Sequence, residues 1–123
     1  MLFRSLGAQT AWEPLAYARS ALVAACARSG IVAIDSPFFD VRDTAGLEQE
    51  TRRAAATGFA AKAAIHPGQV PAINAAYTPS DAEVARAHQI LVENAKGVGV
   101  VDGQMIDEAV ARKARRILAA AGV

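Results

Sequence analysis

The chain has 123 residues, with 13 Lys and Arg against 12 Asp and Glu, 53% hydrophobic residues and one cysteine. This length suits one packed domain, near-neutral charge gives no electrostatic case for a nucleic acid or an anionic membrane, and a lone cysteine excludes a disulfide framework or a thiolate zinc cage. No apolar run approaches the ~20 residues of a bilayer span, and Met1-Leu2-Phe3-Arg4-Ser5 is too short an apolar start for a signal peptide, so a soluble, reducing, cytoplasmic setting is expected.

Alanine is abundant and aromatic residues make up only 6% of the chain, which favours helix and close helix-to-sheet packing. Thr10 and Glu13 have capping-box spacing, and Leu15, Ala18, Leu22 and Cys26 recur at helical spacing. A helix is therefore predicted over 11–29, with Gly30 as its left-handed cap. Ile31 to Ile34 is a continuous apolar run of the kind that forms a strand covered on both faces. An acidic loop follows, then a helix over 44–57 capped by Asp43 or Thr44, with Leu47, Thr51, Ala54 and Ala55 inward. A second buried strand is expected over 60–65, ending at His66-Pro67. Helix, strand, loop, helix and strand with short links is the rhythm of a parallel sheet.

Beyond His66 the pattern changes. A short helix is expected over 71–77. Ser80-Asp81-Ala82-Glu83 is a second capping box, opening a helix to about Ala95, and Gly97 stops it. Residues 98–106, with Asp102-Gly103 at the centre, suggest a hairpin with a type I′ turn. Asp107 caps a last helix with Val110, Ala114, Ile117, Leu118 and Ala121 on one face.

Each chemistry-bearing group has a structural explanation beside a functional one. Asp35, Asp40 and Asp43 follow a predicted strand, where ligands bind in parallel α/β folds; capping and Asx hydrogen bonds explain the same residues. His66 is either a ligand or general acid, or a residue that fixes its turn. Asp107 is either a carboxylate for chemistry or an N-cap, worth about 1 kcal/mol. Arg112, Lys113, Arg115 and Arg116 suit phosphates and also suit the C-terminal half of a helix. His88 lies mid-helix as a surface or packing residue, and Cys26 reads as a small core residue. Glycine-rich phosphate loops, nucleophile elbows and metal-ligand spacings are absent.

Four stretches in order carry a resemblance. They are Trp12-Glu13-Pro14-Leu15-Ala16-Tyr17-Ala18-Arg19-Ser20; Ala33-Ile34-Asp35-Ser36-Pro37-Phe38-Phe39-Asp40-Val41-Arg42-Asp43; Ala64-Ile65-His66-Pro67-Gly68-Gln69-Val70, leading to Tyr77-Thr78-Pro79-Ser80; and Val101-Asp102-Gly103-Gln104-Met105-Ile106-Asp107. Together they resemble the C-terminal half of the citrate lyase β-subunit and malyl-CoA lyase family of the HpcH/HpaI aldolase superfamily. The resemblance implies an α/β fold. Residues 1–77 would be the last βα units of a TIM (β/α)8 barrel, and 78–123 a helix–hairpin–helix lid. A complete barrel needs roughly 250 residues.

The family's chemistry is Mg²⁺-dependent cleavage or formation of a carbon–carbon bond in a 3-hydroxyacyl-CoA thioester of the citryl- or malyl-CoA type. The resemblance implies that Asp107 is the acid/base carboxylate, serving a neighbouring subunit. It also implies that Ser36, Pro37 and Phe38 contact substrate or CoA. A homo-oligomer, a trimer in the family, is implied with it. The family's metal carboxylates, a Glu and an Asp, match nothing in this chain. The Asp would fall near Met1, and Ser5 stands where the family often has an Asp. No metal ligand is therefore expected here. Two alternatives stay open: a catalytically incomplete fragment that acts as an assembly module, and a CoA-thioester hydrolase.

Overall fold

In the computed structural model of the chain, residues 6–97 and 99–122 are described. They fall into two compact units that divide between Tyr77 and Thr78. Met1 and Ser5, and Val98 at the start of the expected hairpin, lie outside the described residues.

In the first unit, α1 spans Trp12–Ser29. The helix starts from Ala11, whose side chain makes no capping hydrogen bond, so the expected Thr10 box does not form. Its second member, Glu13, instead accepts from Arg53 Nη1 at 2.9 Å. The inward stripe is also rotated from the expected one. Leu15, Arg19 and Cys26 are buried, with Trp12 and Val23 packed beside them, whereas Leu22 is 44% exposed. An arginine in the middle of the stripe shifts the apolar pattern, and hydropathy alone assigns the face to Leu22. Gly30, at φ +67°, ends the helix with its N–H bonded back into the last turn.

β1 (Ile34–Asp35) and β2 (Ala61–Lys62) pair in parallel, with Ile34 opposite Ala61 and Asp35 opposite Lys62. The ladder continues through Ala60 N–H to Ala33 O and Ala63 N–H to Asp35 O. The expected burial of the 31–34 run on both faces is not observed. Ala33 and Asp35 point inward, while Ile31, Val32 and Ile34 are 62%, 69% and 59% exposed. Side chains alternate across a strand, and no described residue covers the second face.

Between the strands, α2 (Thr44–Thr57) starts at Asp43, whose Oδ1 accepts from Gly46 N–H at 2.8 Å. Leu47, Thr51 and Ala54 are buried as expected. After β2, His66 opens a 3₁₀ turn (Pro67–Gln69) that runs into α3 (Val70–Tyr77). The apolar core of this unit is Cys26, Ala33, Ala54 and Phe59.

The second unit is a helix, a hairpin and a helix. α4 (Asp81–Ala95) has a complete Ser80–Glu83 capping box. β3 (Gly99–Val101) and β4 (Gln104–Ile106) pair antiparallel. Asp102 and Gly103, at φ +50° and +76°, supply the two positive angles that a type I′ turn requires. α5 (Glu108–Ala121) starts from Asp107. Ala87, Ile90, Val101, Ile106, Ala114 and Leu118 form its core. No helix among the described residues is long and apolar enough to cross a membrane.

Candidate functional site

The first unit holds four charged side chains in its interior. Arg19 comes from α1, Asp35 from β1, Glu50 from α2 and Lys62 from β2, and each is less than 10% exposed. Lys62 Nζ donates to Asp35 Oδ2 at 2.7 Å and to Glu50 Oε1 at 2.6 Å. Arg19 Nε donates to Asp35 Oδ1 at 3.0 Å, and Nη2 to Glu50 Oε1 at 3.3 Å. Two cations and two anions cancel, which makes burial tolerable because no charge is left uncompensated. The Trp12 ring lies 4.5 Å from the Arg19 guanidinium carbon and 5.8 Å from that of Arg53, a cation–π arrangement with both.

This quartet sits directly under the loop that follows β1. Lys62 Nζ also donates to the Ser36 carbonyl at 2.9 Å, and Arg19 Nη2 reaches Ser36 Oγ at 3.5 Å. Gln69, 3% exposed, donates from Nε2 to the Phe38 carbonyl at 2.9 Å. Ser36, Pro37 and Phe38 line a cavity of about 140 Å³ together with Arg19, Thr10 and Asp40. Arg19 Nη1 is buried and has no hydrogen-bond partner among the described residues, so the cavity has an unspent donor close to its wall. Phe38 is set from the other side by Gly46. A Cβ at Gly46 would stand 2.9 Å from Phe38 Cζ and 2.2 Å from Asp43 Oδ2, so only glycine permits both neighbours.

The acidic residues of the loop divide by role. Asp40 Oδ1 accepts from Arg42 N–H at 2.9 Å as a local turn, Asp43 caps α2, and Asp35 is the buried partner of two cations. His66 is exposed, and its Nδ1 accepts from Gly68 N–H at 3.0 Å, so it fixes the turn. Tyr77 has a buried hydroxyl without a hydrogen-bond partner among the described residues. Burial pushes its phenol up to about 12, and the Asp35 charge adds to the effect.

Asp107 lies in the second unit. Its Oδ1 accepts from Val110 N–H at 2.8 Å, the bond of an N-cap, and the carboxylate is exposed. The basic run of α5 is spread on a solvated face, with Arg115 Nη1 bonded to Glu108 Oε1 at 2.6 Å. His88 is exposed and Cys26 is buried in the core. Arg19, Glu50, Lys62 and Gln69 were not singled out by spacing, because buried charges and amides interrupt an apolar pattern rather than make one.

Three comparisons with known proteins bear on these features. Residues 3–123 match the family described as C–C bond lyase of the TIM-barrel fold. The chain belongs to that family of C–C bond lyases. Among curated relatives, it is 42% identical over 112 residues to L-malyl-CoA/beta-methylmalyl-CoA lyase of Rhodobacter capsulatus, covering 86% of this chain and 35% of that protein. It is 36% identical over 108 residues to the citrate lyase subunit beta-like protein of Mycobacterium tuberculosis, covering 86% and 40%. Among solved structures, CitE from Mycobacterium tuberculosis, in complex with magnesium, acetoacetate and coenzyme A, superimposes on 98% of this chain and 49% of its own. The TM-score is 0.83 at 33% identity. RipC from Yersinia pestis is 57% identical, with a TM-score of 0.64 over 67% of this chain and 38% of its own. The chain thus spans between about a third and a half of the length of these relatives.

The residues described do not fit a divalent cation. Among them no three His, Cys, Asp or Glu side chains cluster to hold a metal. The buried carboxylates of Asp35 and Glu50, which share both cations, are already neutralised by Arg19 and Lys62.

Proposed function

We propose that the chain is the C-terminal portion of a carbon–carbon lyase that cleaves or forms a 3-hydroxyacyl-CoA thioester of the citryl- or malyl-CoA type. In this reading, 1–77 supplies the last βα units of a TIM barrel and 78–123 supplies its lid. Ser36, Pro37 and Phe38 contact the thioester substrate, and Asp107 is the acid/base carboxylate, acting in a neighbouring subunit of a homo-oligomer. The observation that carries the reading is the superposition of 98% of the chain on a structure that holds coenzyme A and acetoacetate.

The chemistry asks two things of these residues. Breaking the carbon–carbon bond leaves an acetyl thioester enolate, which takes a proton to become the acetyl thioester; the reverse direction removes that proton. A carboxylate suits both directions, provided one oxygen is free. Asp107 meets that condition, since Oδ1 is used by Val110 and Oδ2 accepts nothing among the described residues. The thioester must also be held still relative to that carboxylate. The 36–38 loop is suited to this, being braced from beneath by Lys62 and Gln69. A magnesium ion for this chemistry would be held by residues other than those described, and no step here is assigned to it.

A second reading has its own support. The exposed face of Val32 and Ile34 suits a chain that completes a larger barrel and contributes contacts but no chemistry. Co-production of the chain with a segment equivalent to the rest of a malyl-CoA lyase separates the two. Release of acetyl-CoA from malyl-CoA by the complex, and by neither part alone, is expected for the lyase portion. A stable complex that binds coenzyme A without turnover would favour the assembly module, and acetyl-CoA hydrolysis alone would favour a thioesterase.

A further inference from the structure

We propose that Gln69 is a positioning residue that sets the main chain of the 36–38 loop; the use of that loop for a thioester rests on the reading above. Gln69 makes two different hydrogen bonds from one buried amide. Its Oε1 accepts from Ile65 N–H at 3.0 Å and its Nε2 donates to the Phe38 carbonyl at 2.9 Å. The first bond ties the amide to the segment just after β2, and the second reaches across to the loop just after β1. Only a carboxamide side chain supplies an acceptor and an amide donor at once; a carboxylate supplies acceptors and an ammonium only donors.

The turn before Gln69 aims it. His66 Nδ1 accepts from Gly68 N–H, and Gln69 N–H donates to His66 O at 3.0 Å, closing the 3₁₀ turn. At the other end of the loop, Lys62 Nζ holds the Ser36 carbonyl. Two carbonyls are therefore fixed by buried side chains, and between them Pro37 has its φ restricted by its ring. A peptide group is planar, so fixing the Phe38 carbonyl fixes the plane of the whole 38–39 peptide. The sequence His66-Pro67-Gly68-Gln69 thus acts on the wall of the cavity at a distance, and none of its four residues lines that cavity.

The test uses the 123-residue chain and the variant Gln69→Glu, with coenzyme A as probe. Glutamate keeps the acceptor for Ile65 N–H and loses the donor to Phe38 O. Amide hydrogen exchange in 38–42 is expected to rise about tenfold or more, with exchange in α1 and α2 little changed. Coenzyme A affinity, measured by calorimetry, is expected to weaken about tenfold. Exchange that stays unchanged, or that rises evenly through residues 6–77, would overturn the positioning role. Local loosening with unaltered coenzyme A affinity would overturn its bearing on the ligand. Failure of the unmutated chain to bind coenzyme A at millimolar concentration would overturn the thioester reading of the loop instead, while the exchange result still decides the role of Gln69. If the buried carboxylate unfolds the chain, Gln69→Met, which fills similar space with no charge, carries the same comparisons.

Discussion

Lys62 has no exposed side-chain surface in the structure, and its ammonium bonds two carboxylates and one carbonyl. Removing one member of such a buried set leaves charge without a partner, and the loss is typically about 3–5 kcal/mol. Lys62→Met is expected to lower the stability of the first unit by that order, read from the urea midpoint of its unfolding. Tyr77 gives a prediction with the opposite pH sense to that of a paired acid. Its folded pKa of about 12 lies above the ordinary value of 10.0, so the folded state holds the proton more tightly. The stability from this group is complete below about pH 10 and declines as pH rises from there to about 12. Tyr77→Phe should remove that part of the alkaline decline, seen as a shallower fall of the denaturation midpoint between pH 9 and 11.5.

Residues of this kind were the least legible. Leu47, Thr51 and Ala54 could be placed inward because their spacing matches a helix, and they are buried. Arg19 occupies the inward stripe of α1 at 6% exposure, and no local pattern announces it. Its reason for being there is Asp35, 16 residues on, and Glu50, 31 residues on. Asp35 lies on β1 and Glu50 on α2, so only the packing of α1 against both brings these partners close.

At the scale of elements, two identical spacings behaved differently. Ser80 and Glu83 form the reciprocal box that their spacing suggests, with Glu83 N–H donating to Ser80 Oγ and Ser80 N–H donating to Glu83 Oε2. The Ser80 bonds hold the Glu83 carboxyl below its usual range. Thr10 and Glu13 have the same spacing, but Arg53, 40 residues away, takes the glutamate. A spacing rule sees local competitors and not distant ones. Ser80→Ala is expected to lower the stability of the second unit by about 1 kcal/mol, measured by thermal unfolding, and Thr10→Ala to change little. Gly46→Ala tests the start of α2. The new methyl collides with the Asp43 carboxylate and the Phe38 ring, so the cap is expected to be lost at a cost of about 0.5–2 kcal/mol. Disturbance of the 36–38 loop should show as faster exchange there.

At the scale of the molecule, the sheet of the first unit is, among the described residues, two short strands with one face bare. A two-stranded sheet is marginal in water by itself, and a contiguous apolar face invites a partner. The continuous run Ile31-Val32-Ala33-Ile34 reads as a strand covered on both sides, and half of that cover is missing among the described residues. The reading of the pattern and the observed exposure are reconciled if another chain or segment supplies the second layer. Association at micromolar concentration is therefore expected in sedimentation velocity, above the 12.8 kDa of one chain. Replacing Val32 and Ile34 by lysine should reduce it, and a well-folded unmutated monomer would argue against a half-barrel.

The catalytic assignment stands or falls on Asp107, a residue whose sequence context supports a cap as well as a carboxylate for chemistry. The decisive measurement is turnover together with melting temperature for Asp107→Asn, in the complex that completes the barrel. Asparagine caps a helix about as well as aspartate, so the melting temperature is expected to hold. Asparagine cannot exchange a proton with an enolate, so kcat is expected to fall by about 10²–10⁴. An unchanged kcat at an unchanged melting temperature would mean that Asp107 only caps α5, and would contradict its role in catalysis.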